Sequence, residues 1–536
     1  MMSKLIYPGM RQEERKSVWV PPVRIVHHTE NVKDAERLCG KLETQAYLHF
    51  DPEYCTIPAG ESVIFDFGKE LHGAFSLTSV SMKAVHVRIT LGESVSETLQ
   101  TPTTDHAVHQ TTVQLPMLGQ FSFGDSAFRF VRLEVPEGEP ELHLLCAAVR
   151  AIYRDWDYAG FFRSSDERLN RIWQTSAYTV HLNCQEYIYD GVKRDRLVWM
   201  GDLYPEVRTM LAVFNEYDLI EKSMDFLRTR KQPDQFMNGT PSYSCWWIIC
   251  LHALYLHRNN RKWLEEQKGE LDHLLRQLCR YVDATGREDL PPWRFLDWST
   301  EAMPEVKHAG LQGLLAWTLK TGSCLADELA LNSTAALCRK TAERVRQIVP
   351  DCQGNKIAAA MQTLGLGVDH NTIFQQDPDK GISTFYGYFV LLARAETGDL
   401  NGALDLIRTY WGGMLDAGAT TFWEDFETDW LDGSFGIDSM PAAGKKDIHA
   451  DFGKYCYKGL RHSLCHGWAG GPAAFLSEKV LGVTPIEPGF RKVQVKPDLG
   501  GLDHICGAVP TPYGLITVEA DGKGQKITLP DGVTMA

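Results

Sequence analysis

The apolar residues of this chain change their spacing twice along its length, and this change constrains the fold more than any other feature. From about residue 160 to about residue 480 they recur at the three- and four-residue intervals of helices, as in Glu270–Ala284, Ala309–Leu331 and Ser333–Val349. No strand pattern separates these helices. We therefore expect a toroid of helical hairpins, an (α/α)6 barrel whose inter-helix loops surround a pocket at one end.

The segments on either side of the helical span have the pattern of strands. Before about residue 155, apolar and polar residues alternate in runs such as Ser62–Gly68, Ala84–Gly92 and Phe128–Val135, and Gly or Pro interrupts them at short intervals. This pattern favours an antiparallel β-sandwich. After about residue 483 strand patterns return, which predicts a small C-terminal β-domain.

With 536 residues, the chain is too long for one ordinary hydrophobic core. We predict three domains: a sandwich over 1–155, the helical barrel over 156–482 and a small β-domain over 483–536. At the start of the barrel, Ser164 and Glu167 have the spacing of a helix capping box.

Charge and cysteine content restrict the partners and the compartment. The formal net charge of −14 argues against nucleic acid, which requires a basic surface. The thirteen cysteines are scattered and odd in number, which favours free thiols in a reducing compartment. The segment Met1–Ser17 has no apolar run typical of a signal peptide, and the most apolar window, Cys245–Leu256, is too short to span a bilayer. We therefore expect a cytoplasmic protein without a membrane partner.

The stretch DGVKRDRLVWMGD, from Asp190 to Asp202, is the first candidate site. A solvated helix face would tolerate its charges without needing the tryptophan, and a packed core would need the tryptophan without the charges. Arginine groups match the geometry of hydroxyl and carboxylate partners, and a tryptophan face can pack against the apolar side of a sugar ring. The cluster therefore indicates a pocket for a polar ring rather than caps and turns.

Four later stretches add aromatic and acidic side chains. Gly418–Thr428 places Trp423 directly before Glu424, although acids in this position could also stabilise a helix start. The other candidates are Asp297 and Trp298 in an aromatic loop, Trp247 in an apolar helix where core packing is equally expected, and His462, His466 and Trp468 before a glycine-rich run.

Motifs for other chemistries are absent from the sequence. It contains no HExxH, no phosphate-binding loop, no GxGxxG after a strand and no GxSxG, and its histidines lack metal-ligand spacing. We expect neither a metal nor a cofactor. Carboxylates far apart in sequence, beside Trp and Arg, suit glycoside hydrolysis, which uses one carboxyl as acid and another as base or nucleophile.

These motifs resemble the α-L-rhamnosidases of glycoside hydrolase family 78. DGVKRDRLVWMGD resembles the family's signature, and GATTFWE resembles its later motif. SLCHGWAGGPAAF, followed by GVTPIEPGFRKVQVKPDLGGL, resembles the end of its barrel and its C-terminal domain. FDFGKELHGAFSL, ITLGES and FRFVRLEV resemble its preceding β-sandwich. The resemblance implies an (α/α)6 catalytic barrel and exo-acting, inverting hydrolysis of α-L-rhamnosides.

The resemblance also implies roles for individual residues. Asp195 falls where the family has its general acid, commonly Glu, and Glu424 matches the general base. Asp190 and Asp202 remain alternatives for the acid. The remaining pocket residues implied by the match are Asp190, Arg194, Trp199, Asp202, Trp247, Asp297, Trp298, Trp423 and His466. An inverting pair should lie about 6.5–9.5 Å apart to admit a water.

Three functions remain open at this point. The first is a rhamnosidase, the second an exo-glycosidase for another deoxy-sugar or a uronic acid, and the third a non-catalytic sugar-binding relative. The expected substrate is a small rhamnosylated glycoside or oligosaccharide. A homodimer is a reasonable expectation, because symmetric dimers are the commonest soluble oligomers. Because the candidate clusters lie between Asp190 and His466, we expect residues 1–150 to contribute nothing essential to the pocket.

Overall fold

The computed structural model describes residues 13–48, 53–100 and 107–536. Residues 1–12, which form most of the segment evaluated as a signal peptide, lie outside the described residues.

The N-terminal domain is antiparallel throughout its described strands. They are β1 Lys16–Val20, β2 Arg24–His28, β3 Cys55–Ile57, β4 Ser62–Ser79, β5 Val85–Gly92, β6 Gln110–Leu115, β7 Gln120–Glu134 and β8 Leu142–Tyr153, with a short helix, α1 Val95–Leu99, after β5. The main strand order is β1-β8-β4-β7-β5-β6, with β2 added to β4 and β3 to β8.

Strand β4 explains how these strands enclose a core. Along one edge it pairs with β7, and along the other it pairs first with β2 and then with β8. The β4–β7 register shifts between Asp66 and Leu71, so the long strand changes partners at an irregularity. Alternate side chains such as Phe65, Phe75 and Val131 are buried in one cluster, which confirms the predicted sandwich.

The central domain is helical. Its described helices are α2 Glu167–Asn183, α3 Met200–Val213, α4 Asp218–Arg230, α5 Pro241–Arg258, α6 Arg261–Arg280, α7 Pro304–Glu328, α8 Asn332–Arg346, α9 Lys356–Leu366, α10 Asn371–Gln375, α11 Thr384–Glu396, α12 Leu400–Leu406, α13 Gly412–Asp416 and α14 Gly471–Phe475.

Six of the helices in the described chain form a closed inner ring. In turn, α3 contacts α5, α5 contacts α7, α7 contacts α9, α9 contacts α11, α11 contacts α14, and α14 returns to α3. The outer helices pack against this ring, and their sequences show why: α6 buries one stripe that includes Trp263, Leu271 and Leu278, whereas α5 is buried at almost every position. The predicted (α/α)6 barrel is confirmed.

The start of α2 differs from the prediction. Asp166, not Ser164, is the N-cap residue, and its carboxylate accepts hydrogen bonds from the backbone of Arg168 and Leu169. Ser164 instead ends a strand, β9 Phe161–Ser164. Two residues with cap chemistry lie within one turn, and the strand pairing of Ser164 decides which of them caps the helix.

The remaining strands lie late in the chain. They are β10 Ser434–Phe435, β11 Lys446–Asp447, β12 Val483–Pro485, β13 Lys492–Val495, β14 His504–Thr511, β15 Gly514–Asp521, β16 Gly524–Thr528 and β17 Thr534–Met535. Strands β12, β13 and β17 form one sheet, and β16, β15, β14 and β9 form another. The small C-terminal β-domain is thus present, although β9 joins its sheet from before the barrel. The domain boundaries stay a prediction.

The cysteines are all free thiols, most of them buried. Within the described ranges, none of the helices combines the length and the apolar character that crossing a bilayer requires.

Candidate active site

A cavity of about 410 Å³ lies among the loops of the barrel. Its lining combines carboxylates, arginines and aromatic rings: Asp190, Arg194, Asp195, Trp199, Asp202, Thr240, Tyr243, Trp293, Phe295, Trp298, Glu301, Glu424, Cys456, Tyr457, Arg461, His466 and Trp468. This volume lies within the range of small-molecule sites. The structure therefore brings eight of the eleven predicted site residues to one cavity. The other three, Trp247, Asp297 and Trp423, do not line it.

The signature stretch reaches the cavity through an irregular loop that ends at the start of α3. Asp195 and Arg196 both have left-handed backbones, with φ of 61° and 51°, a conformation that costs energy for side chains other than glycine and is frequent at functional sites. The Asp190 carboxylate accepts a hydrogen bond from the backbone of Leu197 at 2.9 Å and so holds the two ends of this turn together.

Arg194 connects the two residues predicted as acid and base. Its Nη1 donates to Asp195 Oδ2 at 2.6 Å, and its Nη2 lies 2.5 Å from Oε1 and 2.7 Å from Oε2 of Glu424. Both carboxylates therefore lie within the span of one guanidinium group. The side chain of Asp195 is 22% exposed, whereas those of Arg194 and Glu424 are 4% exposed. Asp195 is the more accessible member of the pair.

Glu424 is fixed by its backbone as well as by its side chain. Ser463 N donates to Glu424 Oε2 at 3.0 Å, and Glu424 N donates to the carbonyl of Ser463 at 2.9 Å. The indole of Trp468 donates to the carbonyl of Glu424 at 3.1 Å. Arg194 and the Ser463 amide together hold the carboxylate in one orientation.

Three further carboxyls lie deeper, without a cation in direct contact. Burial raises the pKa values of Asp190, Asp202 and Glu206 well above their usual range, and their mutual proximity adds to the effect for Asp190 and Glu206. Both oxygens of Glu206 lack a hydrogen-bond partner, and a Cβ at Gly467 would lie 1.5 Å from one of them. Burial thus favours the protonated form of these carboxyls, which keeps Asp190 and Asp202 open as alternative proton donors.

His466 is a neutral contact rather than an ion-pair partner. Its Nε2 lies 3.6 Å from Glu424 Oε1 and its Nδ1 lies 3.9 Å from Asp202 Oδ1. Burial, with Arg194 nearby, lowers the pKa of His466 well below its usual value. The imidazole packs against Trp468 with ring centroids 4.2 Å apart.

Asp297 serves the loop that carries the aromatic side chains. Its carboxylate accepts from the backbone and hydroxyl of Ser299, at 2.9 and 2.5 Å, and from the hydroxyl of Ser383 at 2.8 Å. It lines a small side cavity of about 30 Å³ that also borders Glu424 and Asp425. Asp297 therefore caps this loop and lies beside the main cavity rather than in its lining.

Aromatic rings form the other wall of the cavity. Trp199 contacts Tyr243 edge-to-face, Tyr243 contacts Phe295, and Phe295 contacts Trp298, with centroid distances of 6.1, 6.0 and 5.2 Å. At the mouth, Trp293 is 74% exposed and has a left-handed backbone with φ of 72°. An exposed, strained tryptophan of this kind offers a flat surface for part of a ligand outside the cavity.

Two of the predicted tryptophans do not line the cavity. Trp247 and Trp423 are both fully buried in the main core. In the segment where sequence reasoning selected Trp247, the lining residue is Tyr243, which lies one helical turn nearer the start of α5. We therefore propose no sugar contact for Trp247 or Trp423.

The sandwich supplies none of the described lining residues but supports the layer behind them. Residue 107 pairs with Arg194 as an isolated β-bridge, and Glu93 accepts a hydrogen bond from the backbone of Leu464 at 2.7 Å. Glu93, Glu97 and His449 are close enough to share a metal ion, but the ammonium of Lys193 lies 2.8 Å from Glu93 and 3.2 Å from Glu97. The expectation that residues 1–150 contribute nothing essential overlooked these contacts.

Comparison with known protein families agrees with this architecture. Residues 157–345 match the family model of the bacterial alpha-L-rhamnosidase 6 hairpin glycosidase domain, and residues 482–535 match that of the bacterial alpha-L-rhamnosidase C-terminal domain. An alpha-L-rhamnosidase of Alteromonas sp. (strain LOR) is 22% identical over 88% of this chain. The match spans 55% of that relative's own length.

Solved structures share the fold. A rhamnosidase from Klebsiella oxytoca with rhamnose bound matches with a TM-score of 0.68 and 20% identity over 87% of this chain and 96% of its own. A family 78 rhamnosidase of Bacillus sp. GL1 matches with a TM-score of 0.71 and 20% identity over 93% of this chain and 56% of its own. The resemblance to the α-L-rhamnosidases of glycoside hydrolase family 78, expected from the sequence, is confirmed.

Proposed function

We propose that this chain, which carries the helical and C-terminal domains of the bacterial α-L-rhamnosidases, hydrolyses terminal α-L-rhamnose from small glycosides. The observation that carries the proposal is the contact of one buried arginine, Arg194, with both Asp195 and Glu424 in the barrel cavity. The similarity to rhamnosidases supports rhamnose as the sugar, and the contacts of Arg194 with two carboxylates support hydrolysis by an acid and a base.

The proposed mechanism is a single displacement with inversion. Asp195 gives its proton to the glycosidic oxygen as the bond from that oxygen to the anomeric carbon breaks. Glu424 accepts a proton from a water molecule, whose oxygen forms the new bond on the opposite face of the sugar. The products are the free sugar, the aglycone as its free hydroxyl compound and an enzyme in which Asp195 has lost its proton and Glu424 carries the proton from water.

The difference in exposure supports this division of roles. Asp195, at 22% exposure, is the more accessible carboxylate, which suits an acid that serves a leaving group extending towards solvent. Glu424, at 4% exposure, is held in one orientation by Arg194 and by the amide of Ser463, which suits a base that must be aligned with a water.

The shape of the cavity supports exo action on small glycosides. With a volume of about 410 Å³ and with buried carboxyls and His466 in its lining, the cavity suits one terminal sugar ring. The lining residues Trp293 and Trp298 are also open to solvent and offer surfaces for an aglycone, with exposures of 74% and 38%. A long polymer would require an open cleft on both sides of the cleaved bond.

The test is a set of p-nitrophenyl glycosides that includes the α-L-rhamnoside, the α-L-mannoside, the α-L-fucoside and the β-D-glucuronide. We expect fastest release from the rhamnoside and a fall of at least about 10²-fold in Glu424→Gln. Asp429→Asn, an exposed acid in the same segment, is the matched control and should retain wild-type activity.

Other results would select another function. Release from the glucuronide alone would identify a uronic-acid enzyme. Binding of L-rhamnose without release from any glycoside would identify a non-catalytic sugar-binding protein.

A further inference from the structure

A buried ionic cluster lies between the sandwich and the barrel, behind the cavity. The Lys193 ammonium is 2.8 Å from Glu93 and 3.2 Å from Glu97, and it also donates to the carbonyls of Leu460 at 3.2 Å and His462 at 2.7 Å. The side chains of Glu93 and Glu97 are 0% exposed and that of Lys193 is 2% exposed. Two domains thus contribute to one cluster that excludes water.

The cluster holds the backbone on both sides of the residue that orients Glu424. The carbonyl of His462 accepts from the cluster, and Leu464 N donates to Glu93 Oε2 at 2.7 Å. Between them, Ser463 N donates to Glu424 Oε2 and the Ser463 carbonyl accepts from Glu424 N. The direction of the Ser463 amide is therefore fixed from two sides by side chains outside the cavity.

A histidine completes this support. His449 Nε2 lies 3.0 Å from the carbonyl of His462, so it must donate, and Nδ1 then accepts from the hydroxyl of Ser94 at 2.7 Å. Burial, with Lys193 nearby, lowers the pKa of His449 well below its usual value, which is consistent with this neutral tautomer. Ser94 is the N-cap of α1, so this link too begins in the sandwich.

A metal ion is not needed to explain the cluster. Glu93, Glu97 and His449 could together ligate a cation, but the ammonium of Lys193 already lies against both carboxylates, and the histidine Nδ1 accepts from Ser94. Lys193, His449 and Glu93 each contact the segment 462–464 directly.

We propose that Glu93, Glu97 and Lys193 are positioning residues for Glu424, so that the sandwich domain sets the orientation of the base. The inference rests on the proposed function of Glu424. Its physical basis is that a shift of about 1 Å in a reacting group can cost about 10²-fold in rate, and the Ser463 amide is the contact through which such a shift would pass.

The test compares two variants of the cluster with a matched control. Glu93→Gln and Lys193→Met each remove one charge. Asp66→Asn removes one charge from another buried pair of the sandwich, Asp66 with Arg129, whose guanidinium also reaches the barrel at the Gly418 carbonyl. The control weakens contact between the domains without touching the segment 462–464.

For both cluster variants we expect kcat on the rhamnoside to fall by about 10- to 100-fold while KM changes less than about threefold. The split between kcat and KM is the readout, because a misplaced base slows the chemical step without weakening substrate binding. Asp66→Asn should lower the melting temperature but leave kcat unchanged.

Equal loss of kcat in Asp66→Asn and Glu93→Gln, in proportion to lost stability, would overturn the proposal, as would an unchanged kcat in folded Glu93→Gln. Should both cluster variants fail to fold, Ser94→Ala keeps all three charges and removes the hydroxyl that caps α1 at Glu97 and donates to His449; we expect about a threefold lower kcat, and no change would overturn the proposal. Failure of the proposed function is recognised separately, since the wild-type protein would then show no rhamnosidase activity.

Discussion

Arg194 holds Glu424 with one nitrogen, 2.5 and 2.7 Å from the two carboxylate oxygens, while its other terminal nitrogen holds Asp195 at 2.6 Å. A single planar group thereby sets the separation of a deep carboxylate and a shallow one. In the proposed mechanism this separation determines whether a sugar and a water fit between acid and base.

Replacing Arg194 should damage this arrangement even when its charge is kept. Arg194→Lys presents one compact ammonium in place of two fixed nitrogens, so it cannot hold both carboxylates. We expect kcat/KM on p-nitrophenyl α-L-rhamnoside to fall at least about 10²-fold. Arg168→Lys, in a more exposed pair with Asp416, is the control and should be silent. Wild-type kinetics in Arg194→Lys would show that the bridge is dispensable.

The acid and the base should differ in their dependence on the leaving group. Asp195→Asn should slow substrates with poor leaving groups by about 10²–10⁴-fold and nitrophenyl glycosides much less, because nitrophenolate leaves without a proton. Glu424→Gln should slow both kinds of substrate alike, since attack by water needs the base in each case. The measurement is kcat/KM on an alkyl and a nitrophenyl rhamnoside.

An equal effect of Asp195→Asn on both substrates would mean that another residue is the general acid. Asp190 and Asp202 would be tested next, because burial raises their pKa values and so favours the protonated form that an acid needs.

The aromatic wall predicts a modest preference for a 6-deoxy sugar. Trp199 and Trp298 line the cavity, and burying one methyl group contributes about 0.8 kcal/mol, or about fourfold in kcat/KM. We expect at least this ratio between matched α-L-rhamnoside and α-L-mannoside substrates, and a smaller ratio in Trp199→Ala. Equal kcat/KM for the two sugars in the wild-type protein would show that the apolar wall does not select the 6-deoxy sugar.

Asp425 should make stability depend on pH. Burial, with Asp297 and Glu427 nearby, raises the pKa of Asp425 from 3.8 to about 7. Between those values the folded protein holds a proton that the unfolded chain has lost, so the contribution of Asp425 to stability decreases as pH rises through this window.

Asp425→Asn lacks that proton and its pH dependence. The melting temperature of Asp425→Asn should therefore rise relative to wild type between pH 5 and pH 8, equivalent to about 1 kcal/mol or more. Asp429→Asn, an exposed acid nearby, should show a constant difference from wild type. A constant difference for Asp425→Asn would mean that its carboxyl titrates normally.

The spacing of apolar residues was sufficient to predict the barrel, because its inner helices are buried all round and its outer helices are buried on one side only. The nearly continuous burial of α5 and the one-sided burial of α6 were both readable from their sequences. Strand β9 was not readable, because Phe161–Ser164 pairs with β14, more than 300 residues later in the chain. Long-range pairing of so short a strand leaves no local signal.

Sequence patterns could indicate lining residues only where charged and aromatic residues cluster in a short motif. Arg194, Asp195 and Glu424 lie in such motifs, and the structure places all three in the cavity lining. Tyr243 was missed because depth along α5, rather than residue type, decides which ring meets the cavity. Glu93 was missed because it contacts the segment 462–464 from another domain, and residue patterns within one domain do not encode such a contact.

The measurement that tests the central claim most directly is proton NMR of the sugar first released by the wild-type protein, recorded before mutarotation. A single displacement through Asp195 and Glu424 predicts that β-L-rhamnose appears first and then equilibrates with the α-anomer. Appearance of α-L-rhamnose first would contradict the account, because Glu424 would then have to form a covalent intermediate rather than activate a water.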